Sequence, residues 1–208
     1  MVITTMLLCS ASYLIGSIPT GLVLGKVCAR TDIRRAGSGN IGATNAARVL
    51  GKKLGALTFA GDMLKGFAPP LAGALLAQSA WAACLCGLAA FLGHLFPVYL
   101  RFRGGKGVAT AFGVFLYLEP LAVPALLVLF VLVAALLRYV SLASLAAAAA
   151  LPFVLAAIAL LRPVHPAVIL TGTLMAILTC IRHRSNISRI LSGTEPEIYR
   201  KKQPAARR

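Results

Sequence analysis

Two glycine-rich stretches carry the residue types from which proteins build phosphate sites. Residues 37–42, "GSGNIG", fit the spacing G-x-G-x-x-G, which in nucleotide-binding folds places backbone N–H groups around a pyrophosphate. Residues 103–110 read "RGGKGVAT", so free N–H groups at a helix start and a Lys ammonium would converge on one anion. Both stretches therefore indicate recognition of phosphate, although a flexible connector between helices would have the same composition.

Neither stretch is a nucleotide-binding loop. A dinucleotide fold needs a strand before G-x-G-x-x-G and an acid about twenty residues after it. Asp62 stands at that distance from Gly42, but it lies inside an apolar run and not at the end of a second strand. In the second stretch, Gly107 occupies the position where a Walker A loop requires Ser or Thr. The two stretches thus indicate phosphate chemistry without a nucleotide fold.

Two further polar stretches hold hydroxyl, imidazole and amide groups. Ser141 and Ser144 in "RYVSLAS" are three residues apart and share one helix face, where hydroxyls either cap the helix or bind an anion. His183 lies between Arg182 and Arg184, and repulsion from these two like charges predicts a lowered pKa for the imidazole. The stretch "HRSNISRILSGTEPEI" at 183–198 therefore offers a neutral histidine beside basic residues.

Asp62 and Lys65 are ionisable residues placed well inside an apolar run. They are three residues apart, about one helical turn, in the inner half of a predicted membrane span, where an isolated charge is costly. Two roles stay open for them: part of a functional site, or a mutually neutralising pair that braces the helices.

The elements that must position these groups are membrane helices. Of 208 residues, 59% are hydrophobic and 12% are charged, whereas soluble domains carry about 25% charged residues. Long Ala-, Leu- and Gly-rich runs, at about 20 residues per crossing, predict an all-α integral membrane protein. We predict seven transmembrane helices, one of them short, at residues 2–24, 54–77, 80–100, 107–118, 120–137, 141–161 and 164–181.

Positive charge favours counting the short segment 107–118 as a crossing of its own. Nineteen of the 21 Lys and Arg residues then fall on one side of the membrane, whereas joining this segment to the next span would split them almost evenly. We therefore predict a periplasmic N-terminus and a cytoplasmic C-terminus. The net charge of +16 requires no nucleic acid partner, because basic residues beside membrane helices meet anionic lipid.

Cysteine and acid placement argues against a metal site. The five cysteines show no C-x-x-C spacing and no histidine partners, so we expect them to pack as small apolar residues. We expect neither a metal nor an organic cofactor. The chain is predicted to be one membrane-embedded domain over residues 1–208, with a basic tail after about residue 197, and to act as a monomer.

Four stretches together resemble the motifs of one family. "GSGNIGATN" at 37–45, "GHLFPVYLRFRGGKGVAT" at 93–110, "RYVSLAS" at 138–144 and "HRSNISRILSGTEPEI" at 183–198 are similar to those of the acyl-phosphate:glycerol-3-phosphate acyltransferase (PlsY) family. The resemblance implies a multi-pass enzyme of the bacterial inner membrane, with its site facing the cytoplasm. Such an enzyme transfers a fatty acyl group from acyl phosphate to position 1 of sn-glycerol 3-phosphate, giving lysophosphatidic acid and phosphate.

The resemblance also implies roles for individual residues. One phosphate is expected to bind backbone N–H groups, a hydroxyl and a guanidinium of the first motif: Ser38, Gly39, Asn40, Thr44, Asn45 and Arg48. The second phosphate is expected at residues of the second motif: Gly104, Gly105, Lys106 and Gly107. Ser141 and Ser144 match the third motif, and Ser141 is expected to help bind substrate or phosphate. The residues expected to be catalytic are Lys106, Ser144, His183 and Asn186. Arg189 is expected near the glycerol hydroxyl, with Glu195 supporting the basic cluster.

The chemistry of an acyl phosphate fits the residues present. Many acyltransferases with soluble donors carry His-x-x-x-x-Asp, yet the fifth residue after each of the three histidines here is Tyr, Leu or Ser, and we expect no acid beside His94 or His165. An acyl phosphate is an activated mixed anhydride, so positioning two anions and stabilising developing charge can suffice. Proton transfer stays open between His183 and the donor's own phosphate oxygens.

A membrane transporter of phosphorylated metabolites is the alternative from another class. Seven spans with Gly- and Pro-interrupted helices fit such a protein, whose site would lie near the bilayer midplane. Here the polar groups gather at the predicted cytoplasmic ends, and no inverted repeat is visible. The sequence therefore favours the enzyme, with acyl phosphate, glycerol 3-phosphate and membrane lipids as its partners.

Overall fold

The computed structural model describes residues 2–198, and this part of the chain forms ten α-helices. In chain order they are α1 Val2–Gly16, α2 Thr20–Ala29, α3 Ala43–Leu50, α4 Lys52–Ala77, α5 Ala80–Leu95, α6 Val108–Leu118, α7 Ala122–Leu137, α8 Val140–Leu161, α9 Pro166–Arg182 and α10 Arg184–Leu191. Short 3₁₀ turns follow α2 and α5, at Ile33–Arg35 and Val98–Leu100. The all-α prediction is confirmed for the described chain. The predicted basic tail falls almost entirely on residues 199–208, outside the described residues.

Two stretches of the described chain are long and apolar enough to cross a membrane, Ala80–Leu100 and Val140–Leu161. The number rises to four if each of two bent helix pairs counts as one span: α1 with α2, bent by 42°, and α9 with α10, bent by 54°. The length and composition of these helices are consistent with the predicted membrane protein. The seven crossings and their direction stay predictions.

Prolines and glycine-flanked breaks set the ends of several helices. The first predicted span is two helices, because Pro19 lacks the N–H that would continue the ladder from α1 into α2. The short segment 107–118 is a separate helix, α6, since the chain breaks at Glu119 and Pro120 before α7 begins. The buried Glu119 carboxylate pairs with Arg162, which follows α8. This ion pair ties two helix ends together.

Small residues bring the central helices into close contact. α1 packs against α5, and α4 packs against both α5 and α6. Gly16 faces Ala90 and Gly66 faces Thr110 so closely that a Cβ on either glycine would overlap the partner's backbone carbonyl. Contacts of this kind drive helix association in lipid. Large apolar side chains fill the core between α5, α6, α8 and α9: Phe91, Leu95, Val114, Phe115, Leu155 and Met175.

Candidate active site

The first glycine-rich motif is a loop organised by one buried amide. Asn45 Oδ1 accepts the Ser38 N–H at 2.8 Å, and Asn45 Nδ2 donates to the carbonyls of Ile33 at 2.9 Å, Asn40 at 2.8 Å and Ala36 at 3.2 Å. Both ends of the amide are therefore occupied inside the protein. Asn45 therefore shapes the loop through its side chain, and a contact with phosphate stays a prediction.

Several N–H groups of this loop are also occupied. The Gly39 N–H donates to a loop carbonyl at 3.1 Å, and the Gly42 N–H donates to Asn40 Oδ1 at 2.8 Å. Phosphate binding by Ser38, Gly39 and Asn40 stays a prediction, and it would require these hydrogen bonds within the loop to rearrange. The Asn45 N–H, at the third position of α3, donates to the Gly42 carbonyl at 3.1 Å, whereas the first two N–H groups of the helix have no helical carbonyl before them to accept. Two exposed side chains on α3 stay available beside them: Thr44 and Arg48.

The second glycine-rich loop is clamped between a histidine and an arginine. The Gly105 N–H donates to the His94 carbonyl at 3.0 Å, and a Cβ on Gly105 would overlap the His94 ring. On the other side, Arg182 Nη2 donates to the Gly104 carbonyl at 2.8 Å and Arg182 Nε donates to the Gly105 carbonyl at 3.1 Å. The backbone that leads into Lys106 is thus fixed from both sides.

Lys106 connects the second motif to the fourth. Its ammonium donates to Asn186 Oδ1, and Asn186 Nδ2 donates to Glu195 Oε1 at 2.6 Å. Arg189 Nε donates to the other carboxylate oxygen of Glu195 at 2.7 Å. An ammonium, an amide, a carboxylate and a guanidinium therefore form one continuous chain of hydrogen bonds.

The Lys106 ammonium lies in strongly basic surroundings. Burial lowers the pKa of Lys106 to about 8; Glu195 opposes this change, and repulsion from three arginines adds to it: Arg189, Arg182 and Arg48. Arg48 belongs to the first motif and Arg189 to the fourth. Three of the four motifs therefore act on one lysine, as an anion-binding site requires.

The third motif joins this network through Ser141. Burial opposes ionisation of Glu195, but Ser141, Asn186 and Arg189 favour the carboxylate, and the net effect is a lowered pKa for Glu195. Ser141 Oγ is buried near Glu195 and makes no hydrogen bond of ordinary geometry within the described chain. Ser144 Oγ instead donates to a carbonyl one turn earlier in α8, at 2.8 Å. The catalytic role of Ser144 stays a prediction.

His183, just beyond the end of α9, has a defined tautomer. Its Nδ1 lies 2.8 Å from the Thr179 carbonyl; because a carbonyl only accepts, Nδ1 carries the proton and Nε2 of the neutral ring is an acceptor. Burial lowers the pKa of His183 to about 4; the Thr179 carbonyl opposes this change and repulsion from Lys106 adds to it. The predicted direction is confirmed. The predicted cause is wrong, because burial and Lys106 outweigh the flanking arginines.

A basic cleft opens beside the two glycine-rich loops. It has a volume of about 530 Å³, and Gly39 of the first motif and Gly104 of the second both line it. Asp32 is the acidic residue in its wall, and Asp32 pairs with Arg34 at 2.6 Å. Three further arginines line the cleft: Arg35, Arg103 and Arg182. The cleft therefore keeps a positive charge and brings the first two motifs face to face.

A buried ionic cluster lies next to the second loop. Asp62 and Lys65, 2% and 6% exposed, form the predicted pair at 2.8 Å, and Lys65 Nζ also donates to the Ile18 carbonyl at 2.7 Å. His94, 4% exposed, places Nδ1 at 3.8 Å from Asp62 Oδ1. The expectation that no acid lies beside His94 is wrong, because α4 and α5 pack side by side.

Arg182 and His94 are two contributors that the sequence analysis did not place in the site. The signal for both was position: Arg182 adjoins His183 at the start of the fourth motif, and His94 is the second residue of the stretch at 93–110. Within residues 2–198, no group of three or more His, Cys, Asp or Glu residues is arranged to hold a metal ion.

Comparisons with known proteins place the chain among acyltransferases. A family model described as glycerol-3-phosphate acyltransferase matches residues 6–193. The chain is 50% identical over 186 residues to the glycerol-3-phosphate acyltransferase of Trichlorobacter lovleyi, covering 89% of this chain and 93% of that one. It is 50% identical over 196 residues to that of Sinorhizobium fredii, covering 94% and 93%.

A solved structure is similar over nearly the whole chain. It is the crystal structure of PlsY (YgiH), an integral membrane glycerol 3-phosphate acyltransferase. Its glycerol 3-phosphate form has a TM-score of 0.85 and 37% identity, covering 94% of this chain and 96% of that one. Its lysophosphatidic acid form has a TM-score of 0.84 and 37% identity, covering 94% and 95%.

Proposed function

The chain belongs to the glycerol-3-phosphate acyltransferase family, and we propose that it transfers a fatty acyl group from acyl phosphate to the sn-1 hydroxyl of glycerol 3-phosphate. The glycerol oxygen forms the new ester bond, the bond between acyl carbon and phosphate oxygen breaks, and the hydroxyl proton leaves with the phosphate. The products are lysophosphatidic acid and inorganic phosphate. The glycerol 3-phosphate and lysophosphatidic acid forms of the related PlsY support the acceptor and the product.

One observation carries this proposal: Lys106 is joined to Asn186 and surrounded by arginines from other motifs. Each phosphate group carries a charge of about −1.5 to −2 near neutral pH, so a site for two phosphates needs several cations. Glu195 is the carboxylate of this network, and it is already bonded to Asn186 and Arg189. The surplus of positive charge is what two phosphorylated substrates require.

The two phosphates have two candidate cradles. Thr44 and Arg48, with the first turn of α3, form one; Lys106, with the glycines beside it and the start of α6, forms the other. Each helix start adds N–H groups and the positive end of a helix dipole. Lys106 lies where it stabilises charge that develops on the departing phosphate, as an oxyanion site does.

The proton of the glycerol hydroxyl has two possible acceptors, His183 Nε2 and a phosphate oxygen of the donor. Burial and repulsion from Lys106 lower the pKa of His183 to about 4, so its ring is a weak base. The donor's phosphate, in contrast, is anionic and brings its own oxygens to the reacting carbonyl. We assign orientation of the hydroxyl to His183 and Asn186, and acceptance of the proton to the phosphate of the donor.

The placement in the cell is part of the same proposal. Seven helices cross the bacterial inner membrane, with the N-terminus in the periplasm and the site facing the cytoplasm. The concentration of Lys and Arg residues on one predicted side supports this direction. Residues 1–208 form one domain that acts as a monomer, and no cofactor is needed because the mixed anhydride is already activated.

The test is synthesis of lysophosphatidic acid by the purified full chain in detergent, from palmitoyl phosphate and glycerol 3-phosphate. We expect equal amounts of phosphate and lysophosphatidic acid, and no product from palmitoyl-CoA. Product from palmitoyl-CoA with palmitoyl phosphate inert would overturn the proposed donor while leaving family membership intact. Uptake of glycerol 3-phosphate into vesicles, without any lysophosphatidic acid, would favour the transporter instead.

A further inference from the structure

Three ionisable side chains lie buried behind the glycine-lysine loop, and the function proposed above gives none of them a role. Asp62 Oδ1 lies between two basic groups, 2.8 Å from Lys65 Nζ and 3.8 Å from His94 Nδ1. A buried ion pair gains little stability over apolar side chains of the same volume, because both charges must leave water. Stabilisation of the helix packing therefore explains this cluster poorly. Ionisable residues buried within membrane helices commonly serve function.

The cluster is connected to the backbone of both glycine-rich motifs. Lys65 Nζ donates to the Ile18 carbonyl, in the break between α1 and α2. Gly21 of α2 packs so closely against the first motif that a Cβ on it would overlap the Ile41 carbonyl. On the other side, the His94 carbonyl accepts a hydrogen bond from the Gly105 N–H, and the His94 ring packs directly against the α-carbon of Gly105. Contacts therefore connect the cluster to both loops.

We propose that Asp62 and His94 are positioning residues for Lys106. The His94 ring determines the position of the Gly104–Gly105 backbone, and the Asp62 carboxylate faces His94 Nδ1 at 3.8 Å, where it attracts the ring without a direct hydrogen bond. Lys106 follows Gly105 directly, so the position of this backbone determines where the ammonium meets phosphate. This role rests on the proposed function of Lys106.

The test compares matched histidine substitutions in the full chain in detergent. His94→Asn keeps a polar group near Asp62 but removes the ring from Gly105, and His94→Gln can place an amide where Nε2 now lies. His165→Asn is the control, because His165 caps α9 away from the loop. Its ring packs against that of Trp81 in a T-shaped arrangement, with the ring centroids 5.7 Å apart. Asparagine caps a helix equally well.

Four quantities are measured for each variant. They are kcat and KM for glycerol 3-phosphate with palmitoyl phosphate, the melting temperature, and the pH midpoint for acetylation of Lys106 by a water-soluble active ester, followed by mass spectrometry. We expect His94→Asn to lower kcat on the order of 100-fold, the cost of a misplacement of about 1 Å, with a melting temperature close to that of His165→Asn. The acetylation midpoint of Lys106 should rise from about 8 towards that of an ordinary lysine. His94→Gln should recover part of kcat and bring the midpoint part of the way back.

A kcat within about twofold of the parent, with an unchanged acetylation midpoint, would overturn the inference. If His94→Asn does not fold, the double variant Asp62→Asn with Lys65→Gln removes both charges at nearly constant volume and leaves no unpaired ion. That variant should still show a low kcat and a raised midpoint; parental values for both would show that the cluster only braces the helices. A parent that makes no lysophosphatidic acid would refute the proposed function alone, because acetylation of Lys106 is measured without substrate.

Discussion

Lys106 donates from its ammonium to the side-chain carbonyl of Asn186, a residue 80 positions further along the chain. The contact ties the loop before α6 to the short helix α10. Because Asn186 donates in turn to Glu195, the charge of Lys106 is coupled to a carboxylate in the segment after α10. Residues from distant loops thus share one hydrogen-bonded chain, and each can be tested separately.

Removal of the Lys106 charge should impair the transition state. We expect Lys106→Ala to lower kcat/KM by about 30- to 1000-fold, by analogy with the loss of about 2–4 kcal/mol on removal of one oxyanion donor. Lys106→Arg should recover only part, because its planar guanidinium is bulkier in a loop of glycines. Phosphate release from palmitoyl phosphate measures both, with Lys52→Ala at the exposed start of α4 as the control. Equal rates for Lys106→Ala and the parent would remove this loop from the mechanism.

The pH dependence of the parent should show an alkaline limb. The pKa of Lys106 is lowered to about 8, so the free enzyme loses the ammonium as the pH rises through that value. Since kcat/KM reports ionisations of the free enzyme, it should fall about tenfold for each pH unit above 8. The residual activity of Lys106→Arg should stay level, because guanidinium remains charged. A parental profile that is flat up to pH 10 would contradict a charged-lysine mechanism.

Glu195 should stabilise the folded state only while it is ionised. Its pKa is lowered from the ordinary 4.5, so its contribution is present above that pH and is lost as the pH falls through the folded-state value. Glu195→Gln should therefore cost about 1–3 kcal/mol of stability at pH 7, as for a broken buried hydrogen bond, and the difference from the parent should shrink in acid. Melting temperatures between pH 3.5 and 7 measure this. Glu197→Gln, two residues away, should match the parent throughout.

Helical class, motif order and the meeting of the motifs could be predicted from sequence, because they depend on composition and spacing. The contact of His94 with Asp62 could not, since it depends on how α4 packs against α5. The direction of the Asn45 amide is likewise set by loop carbonyls that only the folded chain brings together. For His183, the flanking residues predicted the direction of the pKa shift, but its main cause, burial, is a property of the fold.

Gly39 should be required for activity more than for folding. Its φ is +70°, and an added Cβ would also come within 3.2 Å of the Arg34 carbonyl. A β-branched residue in this region costs about 1–3 kcal/mol and must displace the loop that lines the cleft. We expect Gly39→Val to lose most of its activity while remaining folded. Gly51→Val is the control, because Gly51 has φ +91° with open space around it. Normal turnover in Gly39→Val would show that this loop only connects two helices and does not bind substrate.

Arg182 should support catalysis through its shape as well as its charge. Its Nη2 and Nε donate to the carbonyls of Gly104 and Gly105, two adjacent peptide groups that match the planar guanidinium. Lysine keeps the charge but cannot reach both carbonyls in that geometry. We expect Arg182→Lys to lower kcat/KM by about 10- to 100-fold, from the roughly 1.5–3 kcal/mol of a hydrogen bond to a charged group.

The Arg182 effect should appear mainly in kcat, because the arginine acts through the position of the loop before Lys106 and not through binding of the acceptor alone. Arg184→Lys is the matched control, since Arg184 is exposed two residues away, and it should keep the parental kcat. If Arg182→Lys also kept it while Arg182→Gln did not, charge alone would account for Arg182, and the two hydrogen bonds to the glycine carbonyls would have no part in positioning the loop.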